Sequence, residues 1–134
     1  MDTVSWYAQL VKPAWAPPSW LFGPVWTMLY AIIAASFGTV FVRAATGRLS
    51  WTVALPFALN LLFNFAFTPL QFGLRNNVLA CADILLVVGT LVWALLAVRP
   101  FMPWVAYANI PYLLWGTFAT VLQITITWLN RGKA

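Results

Sequence analysis

Residues 21–42 read LFGPVWTMLYAIIAASFGTVFV, twenty-two residues without a charge before Arg43. A helix rises about 1.5 Å per residue, so about 20 residues cross the hydrocarbon of a bilayer. The run does not alternate apolar and polar with period two, which argues for a helix and against a barrel strand. Three more runs follow. Trp51 to Phe72 ends at Gly73, Leu74 and Arg75; Val78 to Val98 ends at Arg99 and Pro100; Pro103 to Leu129 ends at Asn130 and Arg131. The last is the longest and is expected to tilt or protrude. The whole chain of 134 residues is 63% hydrophobic and 7% charged. Soluble domains carry roughly 25% charged residues. The expected fold is therefore all-α, an integral membrane bundle of four transmembrane helices at 21–42, 51–72, 78–98 and 103–129.

The links between runs are short, which makes sequential helices antiparallel neighbours. Four crossings put both termini on one side. Lys12, Arg75, Arg131 and Lys133 then share that side, and Arg43, Arg48 and Arg99 share the other. The excess of one basic residue votes for cytoplasmic termini. Residues 1–20 differ in kind: Trp6, Tyr7, Lys12, Pro13, Trp15, Pro17, Pro18 and Trp20 fill a stretch whose prolines forbid a regular spanning helix. It is no signal peptide, since Asp2 stands where positive charge belongs. It reads as an aromatic, proline-rich segment that lies in the interface or folds over a bundle mouth. Trp20, Trp51, Trp104 and Trp128 lie near run ends and read as interfacial anchors.

Composition also excludes functions. The formal charge of +5 comes from singly scattered basic residues, so no nucleic-acid-binding patch forms. With no His and one Cys there is no metal site, no triad and no internal disulfide, and no phosphate-binding glycine motif occurs. No cofactor is expected.

Several residues inside the runs ask for partners. Pro24 is placed at the start of the first helix, where a missing N–H costs nothing. Trp26 and Tyr30 are one turn apart on one face. Ala31 with Ala35, and Ala34 with Gly38, suggest close helix packing. Asn60 and Asn64 share one face of the second run. A buried amide needs a partner helix, a cavity or a ligand. Asp83 is the only acid inside a run and is read as an ion-pair partner of Arg75 or as a cap. The fourth run carries Asn109, Pro111 and Tyr112, then a stripe of Trp115, Ala119 and Leu122 with Phe118 alongside. Aromatic walls with a few amides suit a flat, largely apolar ligand.

The run Trp6-Tyr7, Leu10, Lys12-Pro13, Trp15, Pro17-Pro18, Trp20, followed by Gly23-Pro24-Val25-Trp26 and Leu29-Tyr30, resembles the translocator protein family, the tryptophan-rich sensory proteins. Asn64, Pro69 and Phe72, then Ala80 to Asp83, then Pro111-Tyr112, Trp115 and Phe118-Ala119 match later landmarks of that family. The resemblance covers Trp6 to Asn130. It implies a five-helix membrane protein, often dimeric, whose first long loop covers a ligand cavity open toward the cytoplasm. On this chain it implies a lid formed by Trp6, Tyr7, Lys12, Trp15, Pro17 and Pro18. It implies a cavity lined by Trp26, Tyr30, Asn64, Phe67, Trp115, Ala119 and Leu122. Because the chain opens where the family's loop opens, the four runs are read as family helices two to five, with the first helix absent. Phe67, Leu79 and Gln123 stand where other members carry Trp, Trp and Asn. The function implied is non-covalent binding of a porphyrin, haem or sterol-like molecule by a homodimer among membrane lipids, in a bacterial cytoplasmic membrane. The alternatives are a porphyrin or lipid transporter, a structural or regulatory membrane partner, and a light-dependent porphyrin-degrading enzyme. No catalytic residue is assigned under the binding reading, and Trp26 and Trp115 would serve under the enzymatic one.

Overall fold

The computed structural model describes residues 13–16, 19–68, 70 and 76–130. The fold is an all-α bundle of α1 (Ser19–Ala45), α2 (Trp51–Thr68), α3 (Asn77–Val98), α4 (Pro103–Ala108) and α5 (Ile110–Leu129). Five helices thus stand among the described residues where four were expected. The fourth run is two helices, not one. Asn109 between them has φ −94° and ψ 8°, off the helical track. Pro103 and Pro111 each open a helix at its first turn, where a missing N–H breaks nothing. Three helices, α1 from Trp20, α3 and α5, are long and apolar enough to cross a membrane, whereas the apolar part of α2 is shorter, Trp51–Phe67. The expected reach of the second run to Phe72 falls largely on residues outside those described. The protein is an integral, multi-pass membrane protein.

Local chemistry sets the element ends. α1 closes on a Schellman turn: the Arg48 N–H bonds the Arg43 carbonyl at 2.8 Å and the Gly47 N–H bonds the Ala44 carbonyl at 3.2 Å. That turn needs a left-handed residue, and Gly47 sits at φ +77°. The Ser50 hydroxyl accepts from the Thr52 N–H at 3.2 Å and caps α2. Asn76 caps α3 by accepting from the Leu79 N–H at 2.9 Å. Asp83 is therefore not the cap it was expected to be. Pro24 also differs from expectation, because α1 begins at Ser19 and places it inside the helix, where it denies the Trp20 carbonyl its usual donor.

α2 packs most extensively on α3, and α3 on α5. The core runs through Leu29, Ile33 and Phe37 of α1, Ala54 and Phe57 of α2, Ile84, Val87 and Leu91 of α3, and Tyr112 of α5. Phe37 and Phe57 meet edge to face with centroids 4.7 Å apart. α1 makes fewer contacts with α2 than its neighbours make with each other, and an apolar groove of about 480 Å³ opens beside it. Ala34 and Gly38 lie in that groove with Phe37, Phe41, Leu61 and Phe65. A Cβ added at Gly38 would meet nothing within 4 Å, so this small-residue pair does not bring two helices of the chain together.

Candidate functional site

Polar side chains from four elements converge inside the bundle. Asn60 and Asn64, one turn apart on α2, both face inward: Asn60 is fully buried and Asn64 nearly so. Tyr112 reaches them from the first turn of α5 and is itself fully buried. The Tyr30 hydroxyl donates to Asn64 Oδ1 at 3.0 Å. Asn64 Nδ2 donates to the Tyr112 oxygen at 2.7 Å, and the Tyr112 hydroxyl donates to Asn60 Oδ1 at 2.8 Å. Asn60 Nδ2 then donates to the Val87 carbonyl at 2.8 Å and to Thr90 Oγ1 at 3.2 Å. One chain of hydrogen bonds thus links α1, α2, α5 and α3. Of the roles open to the two amides from sequence, helix-to-helix bonding is the one they fill here. Leaving such groups unpaired in an apolar interior is costly, so the chain fixes how the helices register.

Aromatic rings cover this chain toward the N-terminal end of α1. Trp26 lies 5.4 Å from Tyr30 and 6.3 Å from Tyr112 between ring centroids. Phe22, one turn earlier, meets Trp115 at 5.7 Å, and Trp115 meets Phe118 at 5.4 Å. Trp15 reaches Phe118 at 5.9 Å and is half exposed. These rings meet edge to face across antiparallel α1 and α5, because both helices repeat aromatics every three to four residues.

Among the expected site residues, Trp26, Tyr30 and Asn64 are brought together. Trp115 meets Phe22, one turn before Trp26, at 5.7 Å. Phe67 and Ala119 are partly buried against the core, and Leu122 is buried. Trp15 is the one residue of the expected lid's named set that is described, and it does lie against the aromatic end. Trp6, Tyr7, Lys12, Pro17 and Pro18 lie outside the described residues, as does Arg75. The anchors Trp20, Trp51, Trp104 and Trp128 are all exposed.

Tyr112 and Asn60 were not among the expected site residues. Their signal was present in the spacing of Asn60 and Asn64 and in the Pro111-Tyr112 step, but nothing in the sequence paired them. A second tie, also unforeseen, joins α1 to the break in the fourth run: Asn109 Nδ2 donates to Ser36 Oγ at 2.9 Å and to the Val105 carbonyl at 2.8 Å. Asp83 is 4% exposed, and its Oδ2 is buried without a hydrogen-bond partner. Among the described residues no group of three or more His, Cys, Asp or Glu side chains comes together.

The TspO/MBR family model matches residues 1–129. The chain belongs to the TspO/MBR family. It is 36% identical to the human translocator protein over 134 residues, covering 98% of this chain and 78% of the relative. It is 36% identical over 126 residues to the tryptophan-rich protein TspO of Bacillus cereus, covering 94% and 81%. The tryptophan-rich sensory protein of Cereibacter sphaeroides is 34% identical over 132 residues, covering 96% and 78%. The TspO/MBR match over residues 1–129, with five helices among the described residues, overturns the expected four-helix chain lacking the family's first helix. These relatives are named as a translocator, a tryptophan-rich protein and a sensory protein, and none of them is named as an enzyme.

Proposed function

We propose that this protein binds a flat, largely apolar molecule of the porphyrin or sterol-like kind at the aromatic end of its bundle. One observation carries the proposal: Trp26 and Tyr30 pair over a hydrogen-bond chain buried among four helices, with Trp115 and Phe118 on the adjoining face. Sites for apolar ligands combine aromatic walls with a few fixed polar groups, and this cluster has both. Trp26, Tyr30, Trp115, Phe67 and Ala119 are the walls, and Leu122 closes the floor. Asn64 acts from behind, since its amide is engaged by Tyr30 and Tyr112. Trp15 acts as a cover of the site, and its contact with Phe118 supports that role. The names translocator and sensory protein given to the relatives agree with binding or movement of a ligand.

The chain acts as a homodimer in a bacterial cytoplasmic membrane. The groove lined by Ala34 and Gly38 supports self-association, because it is apolar and unfilled by the described residues. Binding is tested by titrating the full chain in detergent with protoporphyrin IX in the dark and following tryptophan fluorescence. Saturable quenching is expected. Quenching that rises linearly with porphyrin, without saturation, contradicts the proposal.

A further inference from the structure

The hydrogen-bond chain has a direction, and that direction is forced. Asn60 has an amide whose two ends look alike in shape but not in chemistry. The atom facing the Val87 carbonyl at 2.8 Å must be Nδ2, because a backbone carbonyl only accepts. Thr90 Oγ1, which donates to the Leu86 carbonyl at 2.7 Å, holds the same amide nitrogen as an acceptor. Asn60 Oδ1 therefore faces Tyr112, whose single proton must go to it. With that proton spent, Tyr112 can only accept from Asn64, so Asn64 turns Nδ2 toward Tyr112 and Oδ1 toward Tyr30. Tyr30 must then give its one proton inward. Its oxygen keeps its remaining lone-pair capacity and has no second partner among the described residues. Tyr30 is also the only member of the chain of bonds that is exposed, at 40%.

We infer that Asn60, Asn64 and Tyr112 act as positioning residues that make Tyr30 an obligate hydrogen-bond acceptor toward ligand, so that the site selects apolar ligands carrying a hydroxyl or N–H donor over matched ligands that can only accept. The inference rests on the proposed binding function and deepens it. An acceptor-only group placed against Tyr30 meets lone pair with lone pair. To gain a proton from Tyr30 it must break the bond to Asn64 and leave a buried amide oxygen unpaired.

The test uses 1-pyrenemethanol and its methyl ether, two flat fluorescent molecules that differ in one donor. Each is titrated into the full chain in detergent, with energy transfer from tryptophan as the readout. The expected ratio of dissociation constants, ether over alcohol, is about 5 or more for the parent. Tyr30→Phe is expected to bring the ratio to about 1. Tyr112→Phe keeps Tyr30 but frees the Asn64 amide to turn over, so Tyr30 can donate outward, and the ratio again falls toward 1. A structural defect would weaken both compounds together and leave the ratio alone. Equal affinity of the parent for both compounds, or a parental ratio retained in Tyr112→Phe, overturns the inference while leaving the binding function standing. Failure of both compounds to bind the parent removes the binding function and this inference with it.

Discussion

Replacing Tyr112 by Phe removes one oxygen from a fully buried position and two hydrogen bonds at 2.8 and 2.7 Å. It leaves Asn60 Oδ1 without its donor and Asn64 Nδ2 without its acceptor. A buried polar group stripped of its partner costs about 1–3 kcal/mol in a water-soluble protein. Between helices in a membrane the measured average is nearer 0.6 kcal/mol per bond, because the unfolded chain in the bilayer also finds partners. Two broken bonds then amount to about 1–2 kcal/mol. Asn60→Leu breaks the same bond to Tyr112 and also the bonds to Val87 and Thr90, for a loss of similar size. The double variant should lose less than the two single losses added together, by about 0.6–1 kcal/mol, since the shared bond can be broken only once. Unfolding by dodecyl sulfate in mixed micelles, followed by tryptophan fluorescence, gives all three values. Additivity within about 0.3 kcal/mol would refute the linked chain. So would a Tyr112→Phe protein as stable as the parent.

Other expectations follow from single features. Asp83→Leu should raise stability by about 1–3 kcal/mol, because it removes a buried oxygen that has no hydrogen-bond partner, and a lower melting temperature in detergent would show that the carboxylate is in fact held. Gly47→Ala should cost about 1–2 kcal/mol through its φ of +77°, with Gly47→Asn milder, as read by the same unfolding assay; equal stability of all three would remove the Schellman turn from the account. Sedimentation in detergent should show a dimer, and Gly38→Leu, which fills the α1 groove, should shift it toward monomer; a parent that sediments as a monomer at every concentration rules this out.

Much of the architecture was legible because membrane helices are written in long apolar runs. The expected run at 21–42 became α1 at Ser19–Ala45, and 78–98 became α3 at Asn77–Val98. The fourth run hid its division. Apolar content continues through Asn109, and only Pro111 signalled that a helix starts afresh there. Counting crossings from hydropathy therefore gave four helices where five are found. Pro24 misled for a related reason: Ser19 and Trp20 extend α1 backward, and no charge marks where the helix starts. Asp83 looked like a cap by its closeness to the start of α3, but Asn76 lies at the boundary and has the short side chain that a cap requires.

The site divides in the same way. Trp26 and Tyr30 share a face by helical spacing alone, and the structure pairs them at 5.4 Å. The need of Asn60 and Asn64 for partners was equally plain, since buried amides are rarely left alone. Which groups would answer was not readable, because Tyr112 is far away in sequence and arrives through the packing of α5. The direction of the hydrogen bonds depends on one backbone carbonyl, that of Val87, and backbone carbonyls leave no trace in a sequence.

The central claim is that ligand binds at the aromatic end and not along the interfacial belts. Protoporphyrin IX affinity of Trp26→Ala and Trp115→Ala, set against Trp51→Ala and Trp128→Ala, tests it most directly. Loss of an indole from a stacked apolar contact should cost about 1–3 kcal/mol, a weakening of about 5- to 150-fold. The first two variants should show that loss, and the two exposed positions should bind as the parent does. Equal losses at all four positions, or a loss confined to Trp51 and Trp128, would contradict the assignment of the site.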